Sequence, residues 1–279
     1  MSSSMSTSSS SVVVCVKWAP PRLTGDPAAD ERFGEMSAAD QAALEFGLRT
    51  AEATGDDVVA VTVGPQSADK VLRDALACGA HRAIRIDTPS DVSTKDGASA
   101  AARTLSALGA ISLIWCGDYS ADRGSGAFPA FLAAHLGLEQ SLGLIRVDFG
   151  NSGAFPLDVV RRLDGGRRER SRVISTSVLS VEGSVVRLRR ASLGRSLSAQ
   201  SQPIEVVASA LVPVEPPIEK PYRPRARVIP APTGTTPLDR VRSVTESASP
   251  KISADPVELD PRRAAELILE RLRDWGYTA

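Results

Sequence analysis

Residues 12–18 read VVVCVKW, and the apolar or β-branched residues of this run fall on both alternating faces. A strand of that composition has no side to give to water, so it belongs inside a parallel sheet covered above and below by helices. The first half of the chain keeps to that requirement. Short apolar runs at 58–63, 83–86 and 111–116 alternate with longer amphipathic segments at 37–54, 67–78 and 93–108. Each unit therefore reads as strand, then helix. Ser37 is placed to cap the first helix, and Gly55, Gly79 and Gly109 are placed to stop the three in turn. Right-handed crossovers would set these strands parallel in one sheet, with functional loops at their carboxyl ends.

After about residue 140 the pattern changes. The segments 143–148, 157–163 and 168–173 are short, alternating and split by Gly150-Asn151-Ser152-Gly153 and by Asp164-Gly165-Gly166, which predicts antiparallel hairpins. Residues 176–181 are apolar and β-branched again, as a strand returning to the centre of the main sheet would be. Residues 203–256 hold 11 of the 19 prolines and no sustained period, the composition of an extended arm. A last helix is expected over 260–275, with Asp260 as cap, Pro261 at its first position, and Ala264, Leu267, Ile268, Leu272 and Trp275 along one stripe. The chain thus divides into a disordered Ser-rich tail (1–11), an α/β domain (12–202), a Pro-rich arm (203–256) and a C-terminal helix (257–279).

Composition narrows the function. The 33 basic and 33 acidic side chains balance, which excludes a protein whose main task is to coat nucleic acid. The balance hides an asymmetry: residues 1–160 carry 12 basic and 19 acidic groups, and residues 161–279 carry 21 and 14, so the two halves are expected to face different partners. Cys15, Cys78 and Cys116 are odd in number, far apart and set in apolar stretches, as buried thiols of a reducing compartment are. No apolar run reaches 18 residues, so no direct membrane insertion is expected, and the first 11 residues, eight of them Ser, lack the layout of a secretory signal. The Ala- and Arg-rich composition fits a cytoplasmic protein of a GC-rich bacterium.

The chemistry concentrates in one loop. Gly117-Asp118-Tyr119-Ser120-Ala121-Asp122-Arg123-Gly124-Ser125-Gly126 follows the strand at 111–116 and leads into a helix at 127–136. Its glycines expose backbone N–H groups, Ser120 and Ser125 offer hydroxyls, and the next helix directs its positive end at the same point, which together make a phosphate cradle. A plain flexible turn between strand and helix is the other reading. Lys17 lies on the same rim, where it either meets a phosphate or is a surface charge; Asp122 and Arg123 can equally form a local ion pair. His81 and His135 have no nucleophile or carboxylate in a usable order, so no catalytic constellation and no metal site is expected. Arg161, Arg162, Arg167, Arg168, Arg170 and Arg172 flank a turn, with Arg187, Arg189, Arg190 and Arg195 beyond, either as a solvated hairpin face or as a surface for an acidic partner.

In their order these segments resemble the β subunit of an electron-transfer flavoprotein. The similarity rests on V-C-V-K-W (14–18), Met36 with A-L-E (43–45), V-T-V-G-P (61–65), L-R-D-A-L-A-C-G-A-H-R-A (72–83), G-D-Y-S-A-D-R-G-S-G (117–126) followed by P-A-F-L-A, and R-R-L-D-G-G (161–166). It covers about residues 12–195. The resemblance implies a doubly wound, mostly parallel α/β sheet of the adenine-nucleotide α-hydrolase-like type, with antiparallel hairpin additions and an extended C-terminal arm whose helix docks on a partner subunit. It implies a heterodimer in which an α subunit holds most of the redox FAD, while this chain adds a wall and binds AMP, or a second FAD as in bifurcating relatives.

Carried over by position, the cofactor-binding set is Cys15, Lys17, Ser37, Val63, Gly64, Gly117, Ser120, Asp122, Arg123, Gly124, Ser125, Gly126 and Ala127. Ala191, Ser192 and Leu193 occupy the place of the recognition loop (186–196) that docks flavin-dependent dehydrogenases, with Leu193 as its apolar anchor. Electrons would leave to a quinone oxidoreductase or similar acceptor, so the chain would be a carrier subunit rather than an enzyme. The family's Asn-Pro before the first helix is Ser37-Ala38 here, its acidic residue before the x-Asp-Gly-Gly turn is Arg162, and its recognition-loop Pro and aromatic are Leu188 and Arg190. A stand-alone adenine-nucleotide-binding regulatory module of the same α/β type is the alternative reading.

Overall fold

The computed structural model describes residues 10–19, 34–149, 155–209, 232, 234–245 and 258–277. Most of the Ser-rich tail, the turn at 150–153 and much of the Pro-rich segment lie outside the described residues. Strand β1 (Ser11–Cys15) encloses Val12, Val13 and Val14 completely, as a strand apolar on both faces requires. A two-residue antiparallel pair, β2 (Trp18–Ala19) with β3 (Glu35–Met36), leads to helix α1 (Ala38–Thr54). Ser37 caps α1 by accepting the Asp40 amide at 3.0 Å, and Gly55 ends it in the left-handed conformation at φ 79°. The alternation continues through β4 (Asp57–Gly64), α2 (Asp69–Cys78), β5 (Arg82–Asp87), α3 (Thr94–Ser106), β6 (Ile111–Gly117) and α4 (Phe128–Leu136).

The chain then forms β7 (Glu139–Phe149), β8 (Leu157–Arg162), β9 (Arg168–Val173), β10 (Ser177–Val181), α5 (Leu193–Ser201) and β11 (Glu205–Ala208). Nine strands make one sheet in the order β11-β5-β4-β1-β6-β10-β7-β8-β9. Every neighbouring pair is parallel except β7–β8 and β8–β9, so the expected hairpins extend one edge and β10 does return to the interior of the sheet. Alternate residues of each strand serve opposite faces. Val12, Val14, Ala60, Trp115 and Leu179 pack with residues of α1 and α2 such as Leu44 and Leu72; Val13, Val59, Ile84 and Ile114 pack with Ala98, Ala101 and Leu105 of α3 and Leu132 of α4. The result is an α/β fold with helices on both faces of a mostly parallel sheet.

Two segments differ from expectation. The arm expected from residue 203 begins with β11, which pairs parallel with β5 at the sheet edge, where Arg82 and Glu205 close an ion pair at 2.9 Å. The reason is local: Pro203 precedes I-E-V-V-A without interrupting it, and Val207 packs on the α3 side of the core. The second difference is α6 (Pro237–Thr245), inside the same Pro-rich stretch. Thr236 and Asp239 satisfy each other's backbone N–H groups, at 3.2 Å each way, and Pro237 occupies the first helical position, so a reciprocal cap overrides the regional composition. Residues 215–279 form a separate compact unit from 1–214. In that second unit α7 (Pro261–Asp274) is capped as expected by Asp260, whose carboxylate accepts the Arg262 and Arg263 amides at 3.1 Å, and it leaves Ile268, Leu269 and Trp275 exposed. Among the described residues no helix is long and apolar enough to cross a membrane.

The contact of α1 with the sheet is close. Phe46 stacks on Trp115 with ring centroids 5.3 Å apart, Trp115 Nε1 donates to Thr50 Oγ1 at 3.0 Å, and a Cβ placed on Gly47 would lie 2.2 Å from Val14 Cγ2. A methyl group there forces the Val14 side chain of the central strand, or the helix itself, to shift. Gly47→Ala is therefore expected to destabilise the protein by about 1–3 kcal/mol through overpacking, exceeding the ~1 kcal/mol that alanine gains over glycine in a helix. A lower urea midpoint at unchanged slope is the expected result; an unchanged or higher midpoint would show that α1 does not press on β1.

Candidate functional site

Chain order along the sheet reverses at β1: β4 and then β5 step away on one side, and β6 begins the other. At such a switch point the connecting segments diverge and leave a crevice at the carboxyl ends of the strands. That crevice is a cleft walled by Cys15, Val16 and Lys17 at the end of β1, Val61 and Val63 of β4, Thr94 and Gly97 of α3, Cys116 and Gly117 of β6, and Asp40 of α1. The loop after β6 completes it with Tyr119, Ser120, Ser125, Gly126 and Ala127, followed by the first residues of α4.

Two loop glycines are conformationally required, because Gly124 and Gly126 stand at φ 63° and 59°. Gly126 is doubly constrained, since a Cβ there would lie 2.5 Å from the Asp118 carbonyl oxygen. Ala127 precedes α4 without any side-chain cap, and Pro129 brings no N–H to the first turn. The amides of Phe128 and Ala130 thus open the helix uncapped, at the end where its dipole is positive. Val16, Val61 and Val63 give the cleft an apolar wall on the strand side. An anionic group on a flat apolar body matches this pairing of surfaces.

The polar side chains of the expected set largely bind one another. Lys17 Nζ donates to both carboxylate oxygens of Asp122, at 2.6 and 2.8 Å, and the Arg123 amide donates to Asp122 Oδ1 at 2.8 Å. Burial pushes the Asp122 carboxyl up, but the Lys17 ammonium, the Ser120 hydroxyl and the Arg123 amide outweigh it and hold the group below its ordinary range. Asp122 therefore pairs with Lys17 across the cleft rim rather than with the Arg123 guanidinium, which donates to the Val92 carbonyl at 2.5 Å. The Ser37 hydroxyl accepts from Asp40 and donates to the Tyr119 carbonyl at 3.0 Å, so it ties the loop to α1 from behind the cleft wall. Gly64, Asp122 and Arg123 line a second, adjoining cleft that shares Lys17, Val63 and Val92 with the first. Gly124 lies beside the Tyr119 ring.

Asp40 is one of the cleft residues that sequence reasoning missed, with Val16, Val61, Thr94, Gly97 and Cys116. Three residues after a capping serine, Asp40 reads as an ordinary first-turn acid that favours the helix dipole. In the fold it is 6% exposed and its Oδ2 accepts the Lys17 amide at 3.3 Å. Burial raises its carboxyl to about 7, against the lowering influence of Ser37 and Lys17. Cys15 and Cys116 lie side by side on the cleft floor, opposed in the β1–β6 register.

The recognition segment lies apart from these residues. Ala191 packs partly buried on the α1 and α2 face, and Ser192 caps α5 by accepting the Arg195 amide at 3.3 Å. Leu193 is thus the first residue of a helix, not the tip of a loop as expected; the Ser192 cap supplies the reason. It is 77% exposed, and Leu197, one turn later, is 65% exposed. Arg189 fixes the approach to α5 by binding Glu45 at 3.0 Å and also Glu52. Burial alone would raise Glu45, yet hydrogen bonds from Arg189 and Arg49 hold it below the ordinary carboxylate range. In the basic hairpin Arg161 pairs with Glu169, Arg162 with Glu182 and Arg172 with Asp158, so part of its charge is neutralised on the spot.

Residues 28–212 match the family described as the Electron transfer flavoprotein domain. The chain is 27% identical over 176 residues to the electron transfer flavoprotein subunit beta of Methylophilus methylotrophus, covering 61% of this chain and 66% of that protein. It is 28% identical over 167 residues to protein FixA of Rhizobium meliloti (strain 1021), covering 57% and 56% respectively. To the electron transfer flavoprotein subunit beta of Mycobacterium tuberculosis (strain ATCC 25618 / H37Rv) it is 31% identical over 153 residues, covering 49% and 57%. The chain thus spans between 56% and 66% of the length of these relatives. It belongs to the electron transfer flavoprotein domain family and is of the β-subunit type.

The burial of Asp40 has a measurable consequence. The folded carboxyl keeps its proton up to about pH 7, whereas the ordinary value is 3.8. Over that window the native state binds more protons than the unfolded state, so this group's contribution makes stability fall as pH rises. Asp40→Asn, which keeps the shape and removes the charge, is expected to flatten that fall and to be the more stable form at pH 8, by up to roughly 4 kcal/mol. Urea midpoints of both proteins between pH 4 and pH 8 check this; parallel curves would mean that Asp40 is ionised and solvated throughout.

Proposed function

We propose that the chain is the β subunit of a heterodimeric electron-transfer flavoprotein and that its switch-point cleft holds the adenylate of AMP, or of a second FAD. The observation that carries this reading is the uncapped start of α4 behind Gly126, facing a cleft whose other wall is valine. A phosphate there would take the open amides of α4 and the hydroxyl of Ser125, with Ser120 holding Asp122 at the rim and the purine against Val16, Val61 and Val63. Lys17 and Asp122 would brace the loop by their mutual ion pair rather than touch the phosphate. Such a site corresponds to the adenine-nucleotide α-hydrolase-like version of this α/β fold.

FAD shared with the α subunit would supply the electron-transfer chemistry, and no acid or base from this chain is needed. The chain's own part would be to bind the adenylate, add a wall to the shared flavin and present docking surfaces. In this reading residues 12–202 form the nucleotide-binding domain, residues 203–256 the arm whose first strand completes the sheet, and residues 257–279 the element that buries the stripe of α7 on the α subunit. Leu193, with Leu197, would meet flavin-dependent dehydrogenases, and electrons would pass on to a quinone oxidoreductase or similar acceptor. The relatives named as β subunits support the assignment.

Co-expression with the cognate α subunit tests it. A yellow heterodimer releasing AMP or FAD on denaturation, identified by mass spectrometry, is the expected outcome. Gly126→Leu places a β-carbon into the Asp118 carbonyl at a left-handed φ, a strain of about 1–3 kcal/mol. The expected loss of AMP affinity is about tenfold or more. Unchanged nucleotide stoichiometry in that variant would remove the cradle, and a colourless ATP-binding homodimer would support the stand-alone module instead.

A further inference from the structure

Two thiols meet on the floor of the cleft. Cys15 ends β1 and Cys116 lies next to the end of β6, and the parallel register sets them directly opposite each other. Both point to the face covered by α3 and α4, both are reduced, and both line the cleft. Cys78 is on the opposite face, where its thiol donates to the Arg189 carbonyl at 3.6 Å. Neighbouring strands lie about 4.8 Å apart, so side-by-side β-carbons of a parallel pair stand wider than the ~3.8 Å mean of a disulfide. A single atom bridging the two sulfurs spans that gap more readily than a direct S–S bond.

We propose that Cys15 and Cys116 form a dithiol site, opening on the cleft, that takes one soft thiophilic centre of the trivalent arsenic class, bound by both sulfurs. The capture is a condensation without change of oxidation state. For an aryl arsenoxide, two As–S bonds form, the As–O bonding is lost, and both thiol hydrogens leave with the oxygen as water. No free thiolate is required. That matters here, because the hydrogen bond to Cys15, burial and the nearby charges of Cys15 and Asp40 push the Cys116 thiol well above its ordinary range. Simple alkylation, which needs thiolate, should correspondingly be slow. The apolar wall of Val16, Val61 and Val63 accepts the aryl group. If the cleft binds adenylate, as proposed above, the two occupants exclude each other; that clause alone rests on the preceding reading.

The purified full chain, with its co-expressed partner, is treated with phenylarsine oxide and analysed by intact mass and by counting free thiols. The expected result is one C6H5As unit per chain with the loss of two hydrogens, protection of Cys15 and Cys116 together, and release by a small dithiol. Cys78→Ser should keep the adduct, and Cys15→Ser or Cys116→Ser should lose it. No adduct, an adduct involving Cys78, or one that survives in either single variant would overturn the proposal. The thiol count in the unmodified protein decides the matter even if the buried serines impair folding. Saturating AMP should slow capture several-fold, and capture at an unchanged rate in AMP-saturated protein would overturn access through the cleft. If AMP does not bind at all, the nucleotide reading fails while the thiol count still judges the dithiol.

Discussion

The first turn of α1 is pressed against the carboxyl ends of β6 and β10, and the candidate site is organised around that contact. A β-carbon on Gly117 would lie 2.6 Å from Asp40 Oδ1 and 2.8 Å from its amide nitrogen, and one on Gly183 would lie 2.8 Å from the Ala38 carbonyl carbon. Only residues without a side chain allow backbone and helix to approach so closely. The approach buries Asp40, brings the Ser37 hydroxyl within reach of the Tyr119 carbonyl and thereby anchors the loop after β6 at its start. The loop's far end is held by its own left-handed glycines and by the start of α4. Between these anchors Asp122 reaches back to Lys17.

Such an arrangement leaves the cleft with little net side-chain charge. Of the charged residues that line it, Lys17 is paired with Asp122 and burial keeps Asp40 protonated up to about pH 7, while the Arg123 guanidinium faces the adjoining cleft. The remaining positive potential comes from amides and the dipole of α4, which recognise an anion without placing a mobile cation beside it. The same economy of charge appears in the basic second half, where three hairpin arginines have acidic partners within 3.2 Å or less and Arg189 is clamped between Glu45 and Glu52. The exposed leucines of α5 are therefore carried on an element whose approach is fixed by ion pairs.

Much of the fold was legible because buried parallel strands and capped helices have strong local signatures. VVVCV can only be an interior strand, Ser37 and Gly55 bracket α1, and the β10 run is apolar enough to return to the sheet interior. What escaped was decided at a finer or a longer range. Proline density concealed the capping pair Thr236 and Asp239 and the uninterrupted strand after Pro203, since a regional average blurs a four-residue pattern. The start of α5 at Leu193 depended on one serine inside a segment whose resemblance pointed to a loop.

For the site, sequence determined which residues occupy the carboxyl ends of the strands, because that follows from the order of strands and turns. Of the set carried over by resemblance, Cys15, Lys17, Val63, Gly117, Ser120, Ser125, Gly126 and Ala127 come together, and the fold brings these eight into one cleft. Tertiary structure alone decided how the polar groups partner. Lys17 and Asp122 are 105 residues apart, and Ser37 and Tyr119 are 82 apart, so no local pattern foretells their contacts. Burial of Asp40 and the pairing of Cys15 with Cys116 likewise depend on strand register and helix docking. Periodicity along a chain records which face a residue needs, whereas electrostatic partners are fixed by distances that exist only once the layers have packed.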